Sequence, residues 1–396
     1  MADIWFAASL WLGLALLATF VSMRIRVSVA LVDIIIGVAA QSALRTIWHI
    51  DVLDARAGWV VFLASVGAVL LTFLAGAELD PVEFRRSWRE TSVLGLVGFV
   101  APFLGAAAVA RFVLGWDPRA SWLAGVALST TSVAVVYAVL LDLGLNRTPF
   151  GKIILAACFV NDLGTVIMLG LLFAPFTWRT LVFAGGTAVS IGLAVTVTPA
   201  LLRSHGGRPS EFEAKYLLFL LFLLGGFAAW SGAEAVLPAY LIGMALAGSI
   251  GQDRRLLQRL RTLTLGFLTP FYFIRAGSLV SVPAIAAGGS IFLALFLAKA
   301  ISKFVGLYPL AWRFGYQSTD AMYTTLLMST GLTFGTISSL YGLTHGIITQ
   351  GQYSFLVATV IASAVVPTWV ANRFFLPHHH LPPEPGPALA TETAGG

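Results

Sequence analysis

Residues 158–168 read CFVNDLGTVIM, which sets Asn161 and Asp162 side by side inside an apolar run from Ile153 to Ala174. An ionised carboxylate at the centre of a membrane-spanning helix costs about 2.5–3.5 kcal/mol on insertion scales. Asp162 therefore needs either a permanent partner or a task. Two lysines could partner it: Lys299 and Lys303, in LFLAKAISKFVGLY, are four residues apart and share one helical face. Lys299 is the better placed counter-charge, whereas Lys303 lies nearer the helix end and can instead snorkel to the interface. Asn161 points about 100° away from Asp162 around the helix. It therefore builds the site from another side or makes a plain helix–helix polar contact. Thr130, Thr131 and Ser132, in ALSTTSVAVVYAVL (127–140), offer hydroxyls and carbonyls, the hard oxygen ligands that suit an alkali cation.

A carboxylate in such a place holds a small cation or a proton, but hardly both at once. Burial favours a neutral acid, and a neighbouring ammonium favours the anion. If the loaded site opens to one side of the membrane at a time, this competition becomes cation/proton exchange by alternating access. Asp162 is then a transient alkali-cation and proton ligand. Two further charges sit where they could contribute. Glu78 closes the third apolar block (TFLAGAELD), with Asp80 after it, and is either a site acid or an interfacial one. Arg275, in TPFYFIRAGS, follows a proline able to interrupt a helix and could be a second structural counter-charge. Asp33 and Asp142 read as interfacial.

Other chemistries find little support. Cys158 is the only cysteine, so there is no disulfide framework or cysteine metal site. His378, His379 and His380 are either metal ligands or part of a disordered tail, and the surrounding composition favours the tail. No phosphate-binding G-x-x-x-x-G-K-[ST], zinc-protease H-E-x-x-H, hydrolase G-x-S-x-G or channel-filter T-V-G-Y-G sequence occurs. No cofactor, nucleotide or nucleic acid is expected, and no enzymatic activity.

The elements that must position these residues follow from composition. The 396 residues are 58% hydrophobic and only 11% charged, against about 25% charged in soluble domains. An all-α polytopic membrane protein is expected. Thirteen apolar blocks read as spans: 4–22, 29–47, 58–79, 92–114, 121–141, 152–174, 179–200, 214–231, 235–250, 263–280, 284–310, 319–341 and 353–372. Alternate loops carry sixteen Lys/Arg residues against five in the other set, which predicts an outside N-terminus and an inside C-terminus. The net charge of +6 is thus an orientation signal rather than a nucleic-acid footprint. Residues 1–376 form the membrane domain, and 377–396, rich in Pro, Gly and Ala, read as a disordered cytoplasmic tail.

Residues 127–140 (ALSTTSVAVVYAVL) have an echo in 327–340 (LMSTGLTFGTISSL). Both stretches carry Ser and Thr where lipid-facing helices carry Leu and Ile. They fall in the fifth and twelfth blocks, which run in opposite directions. Polar-interrupted helices in corresponding places of inverted halves point to a transport site near the midplane; the other explanation is a chance similarity of Ser/Thr-rich helices.

The sequence resembles the membrane unit of the cation:proton antiporter superfamily, close to Kef-type and other antiporter-2 members. FLAGAELD (73–80), ALSTTSVAVVYAVL (127–140), ILAACFVNDLGTVIMLGLLF (154–173), FYFIRAGSLVS (271–281) and MSTGLTFGTISSLYG (328–342) carry the resemblance, and their order and spacing make it specific. It implies a dimerisation part and a mobile core containing spans 5, 6, 11 and 12. It also implies inverted-topology repeats in which spans 5 and 12 are crossed and partly unwound. By the same resemblance Asp162 is the essential carboxylate, Lys299 the basic residue of the eleventh span, and Thr130 and Thr131 part of the unwound stretch. The substrates would be Na+ or K+ and H+, the assembly a homodimer and the location the inner (plasma) membrane. The Asn161–Asp162 pair departs from the two acids of many antiporter-2 members and is similar to the electroneutral branch, which usually has Arg rather than Lys on the eleventh span. The nucleotide-binding domain of Kef-type members is missing, so gating by nucleotide is not expected. The competing readings are a cation-selective channel or leak, and a membrane sensor that transports nothing.

Overall fold

The computed structural model describes residues 2–25, 28–47, 53–78, 81–173, 177–205, 211–233, 235–250 and 253–381. Asp80, the side chain of Asp142 and residues 382–396 lie outside the described residues. The first third of the chain contains helices α1 (Ala2–Ile25), α2 (Val29–Ile47), α3 (Gly58–Ala77), the short α4 (Pro81–Arg86) and α5 (Trp88–Ala108). Then come α6 (Pro118–Ser129), α7 (Val133–Asp142), α8 (Pro149–Phe173), α9 (Trp178–His205), α10 (Phe212–Ser231) and α11 (Val236–Ile250). The remainder holds α12 (Arg254–Leu263), α13 (Thr269–Ser278), α14 (Val282–Ala287), α15 (Gly289–Arg313), α16 (Ser318–Met328), α17 (Thr333–Thr344) and α18 (Gln350–Phe374). No strand occurs among the described residues. An apolar chain in lipid must satisfy its backbone internally, and helices do so within each segment.

Among the described residues, nine helical stretches are long and apolar enough to cross a bilayer, counting α6–α7 as one. The other four apolar blocks hold the shorter α2, α11 and α13 and the split pair α16–α17. How deeply each stretch is covered separates rim from centre. In α1 and α9 only 17% of the apolar window is buried, against 72% in α6–α7. Trp5, Phe6 and Leu16 of α1 and Leu181 and Val189 of α9 accordingly face outward, a surface suited to lipid.

Two packing groups make up the bundle. In one, α2 lies against α13 and α3 against α11 and α13. Small residues bring these backbones together: a Cβ on Gly37 would fall on the Ile274 carbonyl, and one on Gly277 on the Ile34 carbonyl. In the other, α5 packs on α6, α8 and α15, α16 lies between α15 and α18, and α17 lies between α6 and α18. This second group contains α8, which carries Asp162, and α11 of the first group reaches α8 through Tyr240. Of the expected tail, residues 377–381 are described and turn back on the bundle. His378–His380 form a single 3-10 turn, and Leu376 and Leu381 pack on the core around Phe150 and Tyr323.

Candidate ion site at two interrupted helices

The two Ser/Thr-rich blocks are not continuous helices. α6 ends at Ser129 and α7 begins at Val133; α16 ends at Met328 and α17 begins at Thr333. After a turn at Ser329 the second break continues through 330–332, 200 residues from 130–132 and at the same offset as the sequence echo. The local cause is legible. Consecutive Ser and Thr side chains compete with the helix for backbone partners. Thr130 is extended (φ −64°, ψ 150°), and the Ser132 hydroxyl caps α7 by accepting from the Val135 N–H at 3.4 Å. At its far end α6 is capped by Asp117, which accepts from the Arg119 and Ala120 N–H groups. Each break exposes carbonyls at the end of one half-helix and N–H groups at the start of the next. The two breaks are stitched together. The Ser132 N–H donates to the Thr330 carbonyl at 3.1 Å, and the Thr131 hydroxyl donates to the Met328 carbonyl at 2.8 Å.

Asp162 and Asn161 sit near the middle of α8, 2% and 0% exposed. Asp162 Oδ1 and both amide atoms of Asn161 are buried without a hydrogen-bond partner. A buried polar atom left so costs about 1–3 kcal/mol, and natural structures rarely tolerate three together without a reason. One turn further along α8, the Thr165 hydroxyl donates to the Asn161 carbonyl at 3.2 Å and lies 3.5 Å from Ser129 Oγ at the end of α6. Tyr240 of α11 reaches the same helix, its hydroxyl donating to the Phe159 carbonyl at 2.9 Å.

Both lysines are buried, Lys299 at 1% and Lys303 at 0% exposure. The snorkelling role open to Lys303 is therefore corrected. One helical turn apart on α15, the two ammoniums point the same way, into the breaks. Lys299 Nζ donates to the Thr130 carbonyl at 3.2 Å and to Ser363 Oγ of α18 at 3.1 Å. Lys303 Nζ donates to Thr131 Oγ1 at 2.9 Å. Neither lysine is joined to Asp162 by a hydrogen bond or ion pair among the described residues; both act on it through space. The lysines thus hold the interrupted segments, and the carboxylate stands apart with an unpartnered oxygen. A Cβ on Gly331 would fall on Lys299 Nζ and lie 3.0 Å from Thr130 Oγ1, so a side chain at 331 competes with the lysine for one space.

The hydroxyls read as cation ligands are engaged in this arrangement. Thr131 bridges Lys303 and Met328, Ser132 caps α7, and the Thr130 hydroxyl bonds back to the Ala127 carbonyl. The other two charges lie elsewhere. Glu78 accepts from Arg261 Nη2 at 2.7 Å and Nε at 3.0 Å in a partly exposed pair at the end of α3, which is the interfacial alternative. Arg275 is 6% exposed, and its Nε donates to the Ala55 carbonyl at 2.8 Å. Its hydrogen-bond partner among the described residues is thus a backbone carbonyl just before the start of α3. Ser129, Thr165, Tyr240 and Ser363 were not anticipated. Ser363, a lone hydroxyl in the apolar run VIASAVV of α18, was the one detectable signal.

The sequence profile described as "Sodium/hydrogen exchanger, transmembrane" matches residues 12–374. The chain belongs to this exchanger family. Among its relatives, a protein named Probable Na(+)/H(+) antiporter 3 from Methanocaldococcus jannaschii is 25% identical over 79% of this chain and 83% of its own length. The Na(+)/H(+) antiporter NhaS4 of Synechocystis is 24% identical over 81% of this chain and 83% of its own. Cation/H(+) antiporter 18 of Arabidopsis thaliana is 25% identical over 80% of this chain but only 41% of its own, much longer, sequence. The solved structure of the sodium proton antiporter MjNhaP1 from M. jannaschii superposes with a TM-score of 0.71 over 94% of this chain and 97% of the other. At 14% identity that likeness establishes a shared fold. This chain is therefore an integral membrane protein of the cation:proton antiporter superfamily.

Proposed function

We propose that the protein is a secondary antiporter exchanging a monovalent cation, Na+ or K+, for H+, with Asp162 holding cation and proton in turn. The observation that carries this reading is the buried, unpartnered oxygen of Asp162 beside two interrupted helices. A permanent structural ion pair would have closed on that oxygen. Here Lys299 and Lys303 instead bond to Thr130, Ser363 and Thr131, and the carboxylate is left for a ligand. Asn161 Oδ1 is a second unpartnered oxygen on the same turn. Backbone carbonyls at the breaks supply further oxygen donors when the half-helices move.

The same reading assigns the matching breaks, 200 residues apart, to inverted repeats whose fifth and twelfth spans cross at the site. Thirteen spans follow, with the N-terminus outside and the C-terminus inside. The α5–α8 and α15–α18 group is the moving core, and the glycine-contacted α2, α3, α11 and α13 belong to the fixed, dimer-forming part in the plasma membrane. Rocking of one part against the other exposes Asp162 to each side alternately.

Reconstitution into vesicles with an entrapped pH dye tests this. With a pH gradient imposed, Na+, K+ or Li+ is added in turn to wild type and to Asp162→Asn. Cation-triggered dissipation in wild type and its loss in the variant are expected, because Asn neither binds the exchanged proton nor carries the charge. Equal flux in the variant would refute the assignment to Asp162, and current without coupled proton movement would refute antiport.

A further inference from the structure

The ion site leaves unused a second cluster at one end of the bundle. Asp320 lies in the first turn of α16 and is 5% exposed. The turn at 378–380 folds over it, and His379 Nε2 and His380 Nε2 stand 3.1 and 3.3 Å from the same oxygen, Asp320 Oδ2. The other oxygen, Oδ1, is buried with no partner. One ligand atom from each of the three residues fits within a 4.8 Å cluster. We propose that Asp320, His379 and His380 form a binding site for a divalent transition metal of the Zn2+ class, separate from the exchanged cation.

Geometry supports the metal over a plain hydrogen-bonded contact. Four ligands around Zn2+ at bond lengths of about 2.0–2.1 Å sit about 3.3 Å from one another, close to the two nitrogen–oxygen separations found here. Small side-chain adjustments would seat an ion between the three atoms, leaving a fourth position for water. Two imidazoles and one carboxylate select Zn2+, Co2+, Ni2+ or Cu2+ over the hard cations Mg2+ and Ca2+, which take oxygen ligands. The His380 ring is already oriented, stacked on Phe150 of α8 at 4.5 Å between centroids and 10° between planes. His379 and His380 remain partly open to solvent, with 44% and 32% of their side-chain surface exposed, so an ion has a way in. Once bound, the metal would tie the segment after α18 to the start of α16, whose other end forms the break at 330–332.

The test uses the full chain, purified through a tag without histidine and stripped with a chelator, then titrated with Zn2+ alone by calorimetry. Wild type is expected to take up one saturable Zn2+ per chain, unaffected by millimolar Mg2+. His379→Ala, His380→Ala and Asp320→Asn are each expected to weaken binding by at least about tenfold, and His378→Ala to leave it unchanged. Co2+ supplies an independent readout, because a low-coordinate nitrogen–oxygen site gives it visible absorption bands that the His379→Ala/His380→Ala double variant should lack. That variant removes only partly exposed side chains, so its fold can be verified by proton flux. Absence of saturable Zn2+ uptake in wild type would overturn the proposal. So would equal affinity in the double variant, which would place the ion elsewhere.

Discussion

Gly331→Ala is the sharpest perturbation that the arrangement around Asp162 allows. The φ of Gly331 lies outside the left-handed region, so alanine suits the backbone and the whole effect comes from the added methyl. That methyl would occupy the place of Lys299 Nζ and press on Thr130 Oγ1 at 3.0 Å and Ser363 Oγ at 3.3 Å. Ser363 belongs to the packed α18 and the Thr130 hydroxyl is held by the Ala127 carbonyl, so the flexible lysine gives way. Its withdrawal breaks the bonds to the Thr130 carbonyl and to Ser363. A bond from a charged donor contributes about 1.5–3 kcal/mol. Loss of one such bond corresponds to roughly 10- to 150-fold in an equilibrium constant, and loss of both to more, without simple additivity. We expect apparent cation affinity in the vesicle proton-flux assay to fall by at least about tenfold, with a parallel loss of thermal stability. The decisive comparison is the same substitution in a Lys299→Ala background, where the space is vacant. There Gly331→Ala should cost less than about 0.5 kcal/mol, within the range for independent sites. An equal penalty in both backgrounds would refute the idea that Gly331 exists to admit the lysine.

Lys303→Met removes the ammonium bonded to Thr131 while keeping most of the volume. Leaving one buried charge uncompensated typically costs about 3–5 kcal/mol, so a clear drop in melting temperature is expected in wild type and a much smaller one in an Asp162→Asn background. Equal drops would mean that Lys303 acts through Thr131 alone. Arg275→Met loses the bond to the Ala55 carbonyl and should lower stability by about 1.5–3 kcal/mol while leaving the cation dependence of proton flux unchanged. A shift in cation affinity would return Arg275 to the ion site. On the proposed competition of proton and cation for Asp162, apparent cation affinity should rise with pH, by up to about tenfold per unit while the free site is mostly protonated. It should level off where the site is already ionised, and a pH-independent affinity measured by flux titration would contradict competition.

Several parts of this protein were decided by the sequence alone. An apolar run must become a helix in lipid, so the positions of the helices follow from hydropathy. Asp162 is conspicuous because a carboxylate in such a run is costly wherever its neighbours lie. Lys299 and Lys303 share a face because four residues make one helical turn. The two interruptions were foreshadowed by the Ser/Thr echo, since hydroxyls next to the backbone compete with helical bonds locally.

What each polar group touches was decided by tertiary structure. The sequence offers Lys299 to Asp162 by charge, but the folded chain brings it to a carbonyl 169 residues away, at a break whose exposed C=O is as good a partner for an ammonium. Glu78 meets Arg261 across 183 residues, and Arg275 meets a backbone carbonyl across 220. Gly331 is needed only because another helix delivers an ammonium to the same point. Three histidines in a Pro-rich stretch read as tail until the chain after α18 turns back and sets two of them on Asp320. Helical period and local hydrogen bonding act over four residues and are written in the sequence. Pairings across a bundle depend on which helix faces pack together, and that is settled only when all the helices compete for the same neighbours.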